Sequence, residues 1–165
     1  MPLAMNGLLD GFKHKFLQYL GDTGFRDHLL RSQLFYQDFV LTAAQMDTLN
    51  ATPVQILAAP GAGLSIIAEA VYCKVFSTGF TAFELGSGVL SFLYTDGSGA
   101  KLTADVPNAS VESATDVEYH AVAASVAPVA NAKVVAKTSA DITAGTGNVK
   151  GRLYYRVVKA SEIVA

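Results

Sequence analysis

The sequence predicts a mainly β protein: an antiparallel, jelly-roll-like β-sandwich with an N-terminal helical or extended arm. Three observations predict it. Apolar and β-branched residues alternate with polar ones in about eight short runs after residue 38. Turn chemistry separates the runs at short intervals, as in Pro60-Gly61, Ser77-Thr78-Gly79 and Asp96-Gly97-Ser98-Gly99. No helical period recurs between the runs, which argues against a parallel α/β sheet.

Residues 6–20 fit a helix. Asn6 can cap it, and Leu8, Leu9, Phe12, Phe16 and Leu20 recur at helical spacing. Gly21-Asp22-Thr23-Gly24 ends it. A second apolar cluster follows, Phe25, Leu29, Leu30, Leu34 and Phe35. It suits either further helical turns or an extended arm. Large apolar residues dominate this leading segment, whereas small ones prevail later. That shift divides the chain into an arm, 1–37, and a sandwich domain, 38–165.

The domain opens on Phe39-Val40-Leu41, a short strand. Thr42-Ala43-Ala44-Gln45 has the form of a capping box, with Gln45 reaching back to Thr42, so one or two helical turns through Met46 and Leu49 follow. The stretch Thr52-Pro53-Val54-Gln55-Ile56-Leu57-Ala58-Ala59-Pro60-Gly61 then sets the frame. Pro53 cannot donate to a ladder and suits the start of a strand. Pro60-Gly61 reads as a turn. A long strand is expected over 64–76, on which Cys73 would share a face with Ile67, Val71 and Val75. Further strands are expected over 80–85, 89–94, 101–106, 119–126, 132–138 and 151–159; residues 109–117 fit a helix or irregular chain. On 151–159, Leu153, Tyr155 and Val157 fall opposite Arg152, Tyr154 and Arg156.

The composition is short of charge. Asp, Glu, Lys and Arg make up 16% of the 165 residues, against about 25% in ordinary soluble domains. Apolar residues reach 51%. Such a surface suggests cover by partners. A spanning helix needs about 20 predominantly apolar residues. The best apolar runs fall short: Glu69 and Lys74 interrupt one, Pro128, Asn131 and Lys133 the other. No membrane partner is expected. The N-terminus meets Asn6 and Asp10 before a secretory core can form, so synthesis in the cytoplasm is expected. A net charge of −2 gives no basic face for nucleic acid. Cys73 is the only cysteine, which leaves no intrachain disulfide and suggests a buried, inert thiol.

Reactive groupings are scarce, and the chain is expected not to be an enzyme. His14, His28 and His120 lack metal-ligand spacing. Gly61-Ala62-Gly63 opens a strand rather than a helix, so it is no phosphate cradle. Glu112, Asp116 and Glu118 cluster, most simply on a solvated loop or helix; a glycosidase would need two carboxylates facing each other at a set separation. No cofactor or metal is expected.

In place of chemistry the sequence offers adhesive residues. Arg152, Tyr154 and Arg156 set guanidinium groups beside an aromatic ring, a combination enriched at interface hot spots. With Leu8, Leu9, Phe12, Phe16, Leu20, Phe25, Leu29 and Leu30 of the arm, they are the candidate partner-binding residues.

Leu49-Asn50-Ala51-Thr52-Pro53, Ala59-Pro60-Gly61-Ala62-Gly63 and Arg152-Leu153-Tyr154-Tyr155-Arg156-Val157-Val158, in this order and spacing, resemble a family of small tailed-phage virion proteins. These are head-decoration (cement) or fibre-associated β-sandwich proteins, and the likeness covers residues 38–158. The resemblance implies a structural role at the capsid surface, binding the major capsid protein and copies of itself, with a trimer suited to a position between capsomers. It also allows an alternative: a tail- or head-fibre module that recognises a host-surface ligand.

Overall fold

The computed structural model describes residues 33–124 and 126–162. The helix expected over 6–20 and the apolar cluster from Phe25 to Leu30 lie outside them. So do eight of the candidate partner-binding residues: Leu8, Leu9, Phe12, Phe16, Leu20, Phe25, Leu29 and Leu30.

Eight strands follow in order: β1 (Phe35–Leu41), β2 (Val54–Leu57), β3 (Leu64–Phe76), β4 (Val89–Tyr94), β5 (Val106–Pro107), β6 (Val117–Val122), β7 (Val134–Thr138) and β8 (Asn148–Lys159). Two short helices interrupt them, α1 (Ala43–Thr48) and α2 (Asn108–Val111). The strands form two four-stranded antiparallel sheets, ordered β1-β8-β3-β6 and β2-β7-β4-β5. First pairs with last, second with seventh, third with sixth and fourth with fifth. This is the wrapped hairpin of a jelly roll, in which consecutive strands alternate between the two sheets except at β4 and β5, the closed end of the hairpin. The expected sandwich is therefore present.

Local chemistry explains the entry to the domain. Thr42 Oγ1 accepts from the Gln45 amide while Gln45 Oε1 accepts from the Thr42 amide, so the capping box closes and α1 starts where expected. Pro53 precedes β2. Gly61 turns the chain at φ +108°, where a side chain is strained. This turn carries the chain from the β2 sheet to the β3 sheet, so the two strands flanking it are not ladder partners.

The core lies between the sheets. Ile66, Ala68, Val71, Cys73 and Val75 of β3 and Val149 and Leu153 of β8 face Leu90, Phe92 and Tyr94 of β4 and Val134 and Ala136 of β7. Each large side chain buried this way contributes about 1.5–3 kcal/mol. Two contacts join the layers directly. Phe39 and Phe92 rings sit 5.5 Å apart, and the Tyr94 hydroxyl donates to the Ile66 carbonyl at 2.6 Å.

The structure corrects several expectations. β1 begins at Phe35, ahead of the short strand expected at 39–41, because residues 35–38 pair in register with Tyr155–Arg152 of β8. Residues 80–85 are not a strand. They hydrogen-bond to the 143–146 loop and bury Phe83 and Leu85. The expected strand 101–106 is broken into isolated bridges, Leu93–Lys101 and Thr103–Ala123, and a two-residue β5. β6 spans Val117–Val122 rather than 119–126. Cys73 does not share a face with Ile67. A bulge between Ala68 and Ala70 places two β3 residues opposite one on β8, and one extra residue inverts the in–out alternation beyond it. Even-numbered residues face inward before the bulge and odd-numbered ones after it.

Candidate functional site

The outer face of the β1-β8-β3-β6 sheet gathers exposed aromatic and cationic side chains, Tyr36, Tyr72, Lys150 and Arg152 among them. Registers fix three transverse rows across the four strands. The first runs Tyr36, Tyr154, Ala70, Val122. The second runs Asp38, Arg152, Tyr72, His120. The third runs Val40, Lys150, Lys74, Glu118. Tyr36, Val40, Tyr72 and Val122 are about half exposed or more. Large apolar side chains gathered on one open face mark an interaction surface more than scattered ones do.

The second row is tightly ordered. The Arg152 guanidinium donates through Nε to Asp38 Oδ1 at 2.6 Å and through Nη2 to Oδ2 at 2.9 Å. It also lies 4.2 Å from the centre of the Tyr36 ring, a cation–π arrangement. The Arg152 hydrogen bonds hold the Asp38 carboxyl below its ordinary range. Tyr72 and His120 stack face to face, 4.1 Å apart and 8° from parallel. Tyr154 meets Tyr72 edge-on at 5.7 Å.

In the third row Lys74 stands directly opposite Lys150. Like charges so placed are unfavourable. Lys74 is compensated by Glu118 at 3.5 Å and Asp116 at 3.8 Å. Lys150 makes no ion pair among the described residues; its ammonium lies 5.1 Å from the Phe76 ring centre, and that of Lys74 lies 5.2 Å from it. The second and third rows line an open groove of about 660 Å³.

Of the sequence-predicted site residues, the structure brings Arg152, Tyr154 and Arg156 onto this one face. Arg156 stands past the first row and pairs with Glu69, at the β3 bulge, at 2.9 Å. The acidic cluster is dispersed into structural work. Glu112 Oε1 accepts from the amides of Leu85 and Gly86, both at 2.6 Å. Asp116 Oδ1 accepts from Ser77 and Thr78, and the Thr78 amide foremost lowers its pKa. Glu118 alone points into the groove region. No three His, Cys, Asp or Glu side chains gather as a metal site among the described residues. No described helix is long and apolar enough to cross a membrane.

No family model matches the chain, and no curated protein matches it. Among solved structures it is similar to a chain of the cyanophage Pam1 capsid asymmetric unit, with a TM-score of 0.45 and 13% identity over 75% of this chain and 83% of that one. It is similar to the same degree to a chain of the Ralstonia phage GP4 capsid, at TM-score 0.45 and 14% identity over 76% and 85%. It is also similar to the SPBc2 prophage-derived protein YomS, at TM-score 0.32 and 14% identity over 74% of this chain and 96% of that one. At such identities and scores these are distant likenesses.

Sequence reasoning did not single out Tyr36, Asp38, Tyr72, Lys74 and Lys150 as site residues, and it considered His120 only as a metal ligand, which its spacing spoke against. The available signal was the alternation of tyrosines with charges in Phe35–Val40, Tyr72–Phe76 and Lys150–Arg156. What assembles them is the strand order, which no local pattern states.

Proposed function

We propose that the chain is a structural subunit of a tailed-phage particle: a capsid decoration or cement protein that binds the major capsid protein lattice and copies of itself. The resemblance over residues 38–158 supports this reading, and so does the charge-poor composition. The observation that carries it is β1. This seven-residue strand lies at the edge of its sheet. Beside and along it Leu34, Tyr36 and Val40 stand exposed, Tyr36 to 59%. Its one carboxylate, Asp38, is occupied by Arg152. Long apolar edges are normally blunted or covered, and a neighbouring subunit supplies such cover. The leading segment, with Leu8, Leu9, Phe12, Phe16, Leu20, Phe25, Leu29 and Leu30, adds apolar area toward the roughly 1,600 Å² of a standard interface. Closed symmetry of low order is usual for such assemblies, and a trimer suits a site between capsomers.

Fractionation of emptied heads tests the reading. The chain is expected to stay with the shells, and to leave them when residues 1–33 are deleted. A chain that fractionates with tails instead would overturn the cement role. A second reading, a fibre-associated module for a host-surface ligand, is favoured by one observation: the groove beside Tyr72 and Lys150 has the size and chemistry of a ligand site.

A further inference from the structure

We propose that the groove across β8, β3 and β6 binds an acidic oligosaccharide, one whose sugar rings carry carboxylates. The inference concerns the groove alone and holds whether the chain sits on a head or a tail.

The charge argument comes first. The groove is lined by three cations, Lys74, Lys150 and Arg152, against two carboxylates, Asp38 and Glu118, in a chain whose formal net charge is −2. Both carboxylates are already engaged, Asp38 by Arg152 and Glu118 by Lys74. Lys150 is left over, opposite Lys74 across the ladder. An anionic group seated between the two ammonium groups relieves their repulsion, and it gives Lys150 the ion pair it lacks among the described residues.

The rings decide the class of anion. A pyranose presents a flat face of C–H bonds and a rim of hydroxyls. The flat face packs on an aromatic ring, and the rim hydrogen-bonds to fixed planar groups. Tyr72 is half exposed, with His120, itself exposed, stacked on one of its ring faces and Tyr154 in a T-shaped contact with it. Its orientation is therefore fixed before a ligand arrives, which spares the cost of ordering it on binding. The Arg152–Asp38 pair lies next along the same row and offers both donors and acceptors to hydroxyls.

An acidic peptide fits less well. Extended peptides gain affinity by adding main-chain hydrogen bonds to a sheet edge. β3 and β8, which form the floor of the groove, are interior strands with ladder partners on both sides, and the edge strands β1 and β6 stand at its rims, so an extended peptide lying in the groove meets no open ladder on its floor. Recognition over them must come from side chains and ring faces. The groove's ~660 Å³ exceeds what a lone ion needs and suits a short oligomer.

Calorimetric titration of the full chain with a short oligogalacturonate tests this, beside a neutral oligosaccharide of equal length and an oligoglutamate. Oligogalacturonate is expected to bind, more weakly as salt rises. Lys150→Ala and Tyr72→Ala are each expected to weaken it about tenfold, or ~1.4 kcal/mol. Both side chains are exposed, and unchanged thermal melts confirm that the fold is kept. Lys133→Ala, just before β7 in the other sheet, is expected to change nothing. No heat with oligogalacturonate, equal binding of the neutral sugar, equal or tighter binding of oligoglutamate, or indifference to both groove variants would each overturn the proposal.

Discussion

Arg152 on β8 holds Asp38 on β1 with two parallel hydrogen bonds, Nε to Oδ1 and Nη2 to Oδ2. The pair stands on the open face and ties the edge strand to its neighbour by a side-chain clamp added to the ladder. The folded-state pKa of Asp38 lies below its ordinary 3.8, chiefly through these hydrogen bonds. The contribution to stability is therefore full above the ordinary value and is lost as pH falls through the folded-state value. Carboxyl chemical shifts followed through an acid titration are expected to show Asp38 titrating below 3.8. In Arg152→Ala its midpoint is expected to move back up. An unmoved midpoint would show that the clamp is absent in solution.

Tyr94 joins the two sheets through its hydroxyl, and burial raises that phenol to about 12. The unfolded phenol ionises near 10. Stability from the neutral phenol is complete below pH 10 and is lost as pH climbs from there through 12. Tyrosinate absorbance should thus show one tyrosine ionising late, and Tyr94→Phe should remove that phase. The variant loses one buried hydrogen bond and is expected to be less stable by about 1 kcal/mol in urea unfolding.

Cys73 is buried, and desolvation raises its thiol to about 12. Thiolate is the reactive form. Alkylation under native conditions near neutral pH is expected to be slow and to keep pace with unfolding, becoming rapid in denaturant. Fast native labelling at a rate independent of added urea would contradict the placement of Cys73 inside the sheet.

Gly151 lies opposite Phe39 in the β1–β8 register, and a Cβ there would meet the Phe39 ring and the Tyr72 carbonyl oxygen at 2.7 Å. The ring fills the space that the glycine leaves. Gly151→Ala is expected to cost about 1–3 kcal/mol by overpacking, read as a lower urea midpoint with an unchanged slope. A neutral outcome would mean that Phe39 has room to move.

The sequence by itself determined the kind of fold. Alternation within 151–159 set Leu153 opposite Arg152 and Tyr154, and Leu153 lies in the core. Thr42 and Gln45 announced α1, and Pro53 announced β2. These are local effects, set by backbone sterics and by hydrogen bonds spanning a few residues, so a short window contains them. Tertiary structure decided the rest. The bulge after Ala68 inverted β3 and moved Ile67 away from the face of Cys73, because register is a property of two strands and not of one. Residues 80–85 had the alternation of a strand but lacked a ladder partner. Asp38, Arg152, Tyr72 and His120 form one row although the first two are 114 positions apart. Such a row exists only once β1, β8, β3 and β6 lie side by side, an order set by closing long loops around a shared core.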